Sequence, residues 1–381
     1  MRGAAFVTTD GELAERCRRW SASGLVGVDT EFVRERTYHP RPGLVQVIDA
    51  TGVALVDPLV VSDFAPLAAL LADPAVVTVM HAPGEDLDLF EVLLGTAPRG
   101  LFDTQRAAAL AGYGLGLGYG ALVSALLDVE LEKGETRSDW LARPLTPSQA
   151  RYAVLDVAHL LPLHDRLSRA LVARGRTAWL DEEMAHLART RERDRDPDRA
   201  YLRVKGRGAL PPVRHRRLRA LAAWREREAV RRDMPRRHLL PDTALLALSA
   251  VDPERPLLTG VRGLSAAARA RYGDALLACL QAIRGDAPGP LDQSVDLRPH
   301  ADRLDRMKQL VAAAAARSGV PAELLASRRM LEATLIRVLV EGGDLPPELT
   351  GWRYDLVGRQ LIDVLHADPG GRDRPRGRGL Q

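Results

Sequence analysis

Short apolar runs rich in β-branched residues recur between helix-length stretches through the first 175 residues of the chain, and then they stop. The runs lie at 25–29, 44–49, 53–56, 76–80 and 100–102, and the helical stretches at about 10–22, 62–72, 85–94, 104–111, 119–127 and 147–173. Strands interleaved with helices in this way predict an α/β sheet covered on both faces. The turn Ala50-Thr51-Gly52 joins two of the runs as a hairpin, and the breaker pair Asp73-Pro74 precedes the fourth. From about 176 the pattern is helical throughout. A charged connector covers 181–208, and amphipathic helices at 211–283 are interrupted at Pro235, Pro241 and Pro253 to Pro256. The Gly/Pro-rich stretch 285–297 reads as a linker to a second helical bundle. The expected division is 1–175, a connector 176–210, helical units 211–284 and 298–366, and a disordered Gly/Arg/Pro-rich tail 367–381.

Charge is distributed unevenly along this plan. Residues 1–165 carry 13 cations and 22 anions, residues 166–240 carry 22 cations and 10 anions, and the remainder is nearly balanced. An acidic module that handles polyanions needs metal ions to mask its charge, whereas the basic belt suits a phosphate backbone. The plainer account of the belt is a solvated helix with acidic partners inside the chain. Cys17 and Cys279 lie too far apart for a zinc motif or a disulfide framework. Asp10, Glu12, Glu15 and Arg16 leave no secretory core at the start, and no run approaches the roughly 18 apolar residues of a membrane span. A cytoplasmic protein without membrane partners is expected. Residues 112–120, GYGLGLGYG, lack G-x-G-x-x-G and follow a helix, so they read as a flexible loop.

Three segments carry candidate chemistry. Asp29-Thr30-Glu31 ends the first run, and residues i and i+2 of a strand share a face, so two carboxylates converge at the carboxyl end of a sheet. Such a pair is costly without a cation, and hard oxygen donors suit Mg²⁺ or Mn²⁺. His81-Ala-Pro-Gly-Glu85-Asp86-Leu87 follows the fourth run and opens a helix, which places Asp86 at the mouth of a neighbouring strand. Tyr152 and Asp156, four residues apart, share one helical face in an apolar setting that disfavours an idle carboxylate. The plain readings are a solvated acidic pair, acidic residues favouring a helix start, a packed histidine and a packed tyrosine ring. Together, four carboxylates suggest two ions about 3.5–4 Å apart acting on an in-line displacement at phosphorus, with Tyr152 orienting the water.

These segments resemble the ribonuclease D family within the DEDD exonuclease superfamily. Val28 to Phe32, continuing through Arg34, Thr37-Tyr38, Pro40 and Gln46, is similar to the family's first motif, and His81 to Leu87 to its second. Phe102-Asp103-Thr104-Gln105, Lys133, Arg137 to Trp140 and Arg143-Pro144-Leu145 match the approach to the third motif. Tyr152 to Asp156 and Leu160 to Leu163 match that motif itself. The tyrosine four residues before Asp156, with Arg151 where the histidine-bearing subclass would have its histidine, resembles the tyrosine-bearing subclass. Residues 211–283 resemble an HRDC domain, and Gly351-Trp352-Arg353 the end of a second one. Pro42-Gly43 departs from the family's less interrupted apolar run.

The resemblance implies a ribonuclease H-like mixed sheet flanked by helices, followed by two all-α HRDC-like domains. It implies a 3′→5′ exoribonuclease that releases nucleoside 5′-monophosphates from RNA with single-stranded 3′ ends, typically tRNA precursors. It gives Asp29, Glu31, Asp86 and Asp156 as ligands of two Mg²⁺ or Mn²⁺ ions and Tyr152 as the water-orienting residue. Thr30, Phe32, His81, Lys133 and Arg137 are the substrate-binding candidates, with RNA contacts expected from the arginines of 214–237. Asp103 reads as a helix N-cap and Trp140 as a buried ring. A DNA 3′→5′ exonuclease and a non-catalytic HRDC-type binding protein are the alternatives.

Overall fold

The structure is a computed structural model that describes residues 4–131, 138–252, 254, 257–283, 297–342 and 345–366. The chain divides into two compact units, Met1–Ser294 and Val295–Gln381. The expected tail lies outside the described residues.

The first unit begins with a six-stranded sheet. Its strands are β1 (Ala5–Val7), β2 (Leu25–Val33), β3 (Arg41–Asp49), β4 (Gly52–Val56), β5 (Val77–Met80) and β6 (Leu101–Asp103), in the order β1-β4-β3-β2-β5-β6. β2 is antiparallel to β3 and parallel to β5, so the sheet is mixed. The expected hairpin is β3–β4, closed by Asp49, whose Oδ1 accepts from both Thr51 groups and from Gly52 N. β1 is an addition to the expected strands. Three residues with Phe6 half exposed give too short an alternation to read.

Alternation along the strands separates two apolar layers. Val26, Val28, Val45 and Val47 pack with Leu13, Cys17 and Trp20 of α1 (Asp10–Ser23) and with Leu67 and Leu71 of α2 (Ala65–Ala72). On the opposite face Leu44 and Leu55 meet Trp140 and Ala153. α3 (Asp86–Leu94) follows β5, α4 (Thr104–Leu110) follows β6, and α5 (Tyr119–Leu127) comes next. The expected helix 147–173 is two helices, α6 (Pro147–Ala158) and α7 (Leu160–Ala173). Pro162 has no N–H for the carbonyl of Ala158, so the helical ladder breaks there.

Two glycines mark close approaches. A Cβ on Gly27 would lie 2.6 Å from Ile48 Cγ2 and 2.9 Å from Leu160 Cβ, so α7 sits directly on β2. A Cβ on Gly43 would lie 2.7 Å from Trp140 Cβ, which accounts for the Pro42-Gly43 departure within β3. The loop bearing Trp140 is fixed by Arg143, which pairs with Asp57 at 2.5 Å and donates to Gly43 O at 2.6 Å.

The rest of this unit is helical: α8 (Thr177–Arg195), α9 (Pro212–Arg232), α10 (Arg236–Leu239), α11 (Asp242–Leu248) and α12 (Ala266–Gln281). Tyr201, Leu218, Leu221, Leu245, Tyr272 and Leu276 are among its core residues. Several arginines of the basic belt serve this packing. Arg214 and Arg217 donate to carbonyls of Leu246 and Val251 beside the end of α11, and Arg225 donates to Leu240 O and Asp242.

In the second unit α13 (Ala301–Ser318), α14 (Ala322–Leu325), α15 (Arg328–Glu341) and α16 (Arg359–His366) enclose Met307, Val311, Leu335, Trp352 and Leu361. Arg353 lies over the Trp352 ring at 4.4 Å and donates to Leu324 O. Among the described residues, no helix is long and apolar enough to cross a membrane.

Candidate active site

The site is built on β2 where the strand passes beyond its parallel neighbour. Positions 27, 29 and 31 of β2 share the face that meets α6 and α7, as the contact of Gly27 with Leu160 shows. Asp29 and Glu31 therefore point at the last turn of α6, which carries Asp156. One oxygen from each of Asp29, Glu31 and Asp156 can be chosen so that all three lie within 4.8 Å of one another. Asp86, the first residue of α3, stands outside that trio and is held by Thr30, whose Oγ1 donates to Asp86 Oδ1 at 2.5 Å. All four carboxylates line one open cleft of about 360 Å³, together with Phe32, His81, Glu85, Tyr119 and Tyr152.

The electrostatics are those of an acidic cluster withdrawn from water. Burial, followed by repulsion from Asp86, Asp156 and Glu31, holds the Asp29 carboxyl well above the usual range. Burial and the charges of Asp156 and Asp86 push Glu31 up to about 8. Burial pushes Asp156 up to about 7, with the polar hydroxyl of nearby Tyr152 opposing the shift. Asp86 is also raised by burial, with the Thr30 hydroxyl opposing the shift. Among the described residues no arginine, lysine or histidine forms an ion pair with any of the four. Buried, mutually repelling oxygen donors without a cationic side chain fit divalent cations of the hard class.

Tyr152 lies on the same helix face as Asp156, one turn before it, and lines the same cleft. Burial and the neighbouring carboxylates raise its pKa, so in the ion-free protein it is a neutral phenol. It is therefore no proton acceptor in this state.

The substrate-binding candidates separate. Thr30 is buried and committed to Asp86, while Phe32 lines the cleft. His81 also lines it. The Thr104 hydroxyl donates to Met80 O, so it accepts from His81 Nδ1 at 2.9 Å, and the ring lies edge-on to Tyr119. Lys133 and Arg137 lie outside the described residues. Asp103 is the N-cap of α4, accepting from Gln105 N, and it also accepts from Ala82 N in the cleft wall. Trp140 is buried.

Sequence reasoning missed Tyr119, which belongs to the stretch read as a flexible loop. That stretch ends in α5, and Tyr119 reaches the α6–α7 break. Its hydroxyl donates to Leu155 O at 3.3 Å and accepts from His159 N at 3.1 Å. The only available signal was an aromatic residue at the end of a glycine run.

Comparisons with known proteins cover nearly the whole chain. A 3′-5′ exonuclease family model matches residues 4–172, an HRDC domain model residues 214–280, and a model of the Ribonuclease D C-terminal HRDC domain residues 301–361. Ribonuclease D of Pseudomonas paraeruginosa is 38% identical over 369 residues, covering 95% of this chain and 97% of that protein. Ribonuclease D of Granulibacter bethesdensis is 38% identical over 375 residues, covering 95% and 93%. The crystal structure of Escherichia coli RNase D, described as an exoribonuclease involved in structured RNA processing, matches with a TM-score of 0.83 at 31% identity. That match covers 95% of this chain and 98% of the other.

Proposed function

The chain belongs to the ribonuclease D family of 3′→5′ exoribonucleases, and on that premise we propose that Asp29, Glu31, Asp86 and Asp156 hold two divalent ions, Mg²⁺ or Mn²⁺. The observation that carries this reading is the convergence of carboxylates from three distant segments in a cleft where, among the described residues, no cationic side chain forms an ion pair with them. Bound ions would activate water and stabilise the attacking and leaving oxygens of an in-line displacement. The P–O3′ bond breaks and a nucleoside 5′-monophosphate leaves.

The side chains divide the remaining work. Tyr152 Oη, in the same cleft as Asp156, orients the attacking water as a neutral phenol. Thr30 fixes the Asp86 carboxylate, which supports a positioning role for it beside any contact with the terminal nucleotide. Phe32 and His81, on the cleft wall, contact the terminal nucleotide, and Lys133 and Arg137 contact phosphates from the segment before α6. The helical segments 211–284 and 298–366 serve as nucleic-acid-binding domains for precursor RNA. The preferred substrates are tRNA precursors with single-stranded 3′ ends, processed in the cytoplasm.

Asp29→Asn tests the core of this reading. The expected result is loss of nucleotide release in Mn²⁺ or Mg²⁺, with binding of a single-stranded RNA oligonucleotide retained. Release at the wild-type rate would overturn it. Digestion of matched RNA and DNA oligonucleotides separates RNA from DNA activity, and absence of release from both in either metal would favour the non-catalytic alternative.

A further inference from the structure

Gln46 is fully buried in the middle of β3, and neither the nitrogen nor the oxygen of its side-chain amide has a hydrogen-bond partner. An amide in that state is unfavourable, and the apolar neighbours Leu44 and Ile48 on the same strand face show what the position would ordinarily hold. The sheet register indicates what the amide is for. Gln46 lies directly opposite Asp29 across the antiparallel β2–β3 pair. Opposite residues share a face with Cβ atoms about 4.5–5.5 Å apart, so a glutamine amide reaches a carboxylate there. On its other side Gln46 pairs with Leu55, and the layer over this face contains Leu44, Trp140 and Ala153. The polar groups of that layer are the Trp140 indole and the phenol of Tyr152 packed against it, and Asp29 is the carboxylate that the sheet register sets opposite the amide.

We propose that Gln46 is a positioning residue for Asp29. With ions bound, its amide N–H₂ would donate to the Asp29 carboxylate and fix the rotamer of the ligand. Carboxylates that hold metals are generally themselves held by hydrogen bonds of this kind. The proposal rests on Asp29 being a metal ligand, as read above, and adds that an orphaned amide beneath it is kept for that purpose.

Gln46→Met tests it, since methionine keeps the length and buried volume but donates nothing. The ion-free variant should melt at or above the wild-type temperature, because an unpaired amide has been removed. Its Mn²⁺ affinity, read by electron paramagnetic resonance, should fall about tenfold. Turnover of a short single-stranded RNA should fall with KM unchanged. Gln46→Leu, a second apolar replacement without a donor, should show the same loss of Mn²⁺ affinity. Asp29→Asn is the control. If it keeps wild-type Mn²⁺ affinity, the ligand reading fails. If it loses that affinity while Gln46→Met and Gln46→Leu keep theirs, the Gln46 proposal alone is overturned. A Gln46→Met protein that melts well below wild type without ions would assign the amide a structural role and overturn the proposal as well.

Discussion

At the scale of single residues, the chain pays for its site in repulsion, and that repulsion has a sign. Glu31 and Asp156 are pushed up to about 8 and about 7, far above the ordinary carboxyl value near ~4. A carboxyl whose folded pKa is raised binds its proton more tightly when folded. Its contribution to stability is complete below the unfolded value and is lost as pH rises through the folded one. Asp57 and Glu226 are shifted the other way by arginine partners, so their contributions are present above the ordinary carboxyl value and lost in acid. The cluster is isolated by difference. Relative to Asp156→Asn, the ion-free wild-type protein should lose melting temperature steadily from pH 5 to pH 8. Added Mn²⁺ at pH 8 should restore the wild type and leave the variant nearly unchanged. Identical pH slopes for the two proteins would remove the cluster as the cause. The carboxylates themselves were legible because each sits at a strand end or helix face that short-range spacing defines. Gln46 was legible only as a motif letter, because its meaning depends on which residue of another strand lies opposite it.

At the scale of elements, the clearest divergence between sequence and structure is the break after Ala158. Periodicity runs on from α6 into α7, and Pro162 in the first turn of α7 was the one sign that hydrogen bonding stops. What the sequence did not show is the partner that makes the break tolerable, because Tyr119 lies 36 residues before Leu155. Its hydroxyl serves a carbonyl and an N–H on opposite sides of the break, one residue before and three after Asp156. Tyr119→Phe keeps the ring against His81 and removes both hydrogen bonds. The expected cost is about 1 kcal/mol of stability, from the two lost hydrogen bonds, His159 N–H keeping its bond to Val157 O. A severalfold drop in turnover with KM unchanged should accompany it, because the end of α6 carries Asp156. Calorimetry and single-turnover hydrolysis check the two parts. Wild-type turnover in a destabilised variant would confine Tyr119 to the fold. The short strand β1 was illegible for a different reason, since three residues give no period. Residues 30–33 were likewise missed as strand because Thr30, Glu31 and Phe32 break the apolar run that marked its start.

At the scale of the whole molecule, the sheet and the helical segment that follows it in the first unit are tied together by charge. Tyr38, in the β2–β3 loop, donates to Glu226 of α9 at 2.6 Å, and Arg236 pairs with the same carboxylate at 2.5 Å while covering the Tyr38 ring. Asp233 accepts from the backbone of Tyr38 and His39. Further along, Arg191 of α8 donates to Gly84 O at 2.7 Å and to Asp88 at 2.6 Å, bracketing Asp86 at the start of α3. Part of the basic belt is thus spent inside the protein, as the plainer reading of the charge pattern expected. Composition could not show which arginines, because their partners lie as far as 198 positions away. Glu226 is almost fully buried, so Glu226→Gln leaves Arg236 and Arg203 facing a neutral amide. The cost should approach, and stay below, the roughly 3–5 kcal/mol of breaking a fully buried pair, because both arginines keep some contact with water. If the charge network makes one cooperative body, that loss should raise hydrogen exchange along β2 and β3 as well as along α9. Arg191→Ala should lower turnover and Mn²⁺ affinity together, through looser placement of Asp86, while leaving exchange in α9 at the wild-type level. Exchange confined to α9 in Glu226→Gln, together with unaltered Mn²⁺ affinity in Arg191→Ala, would mean that the catalytic module stands without its helical neighbour.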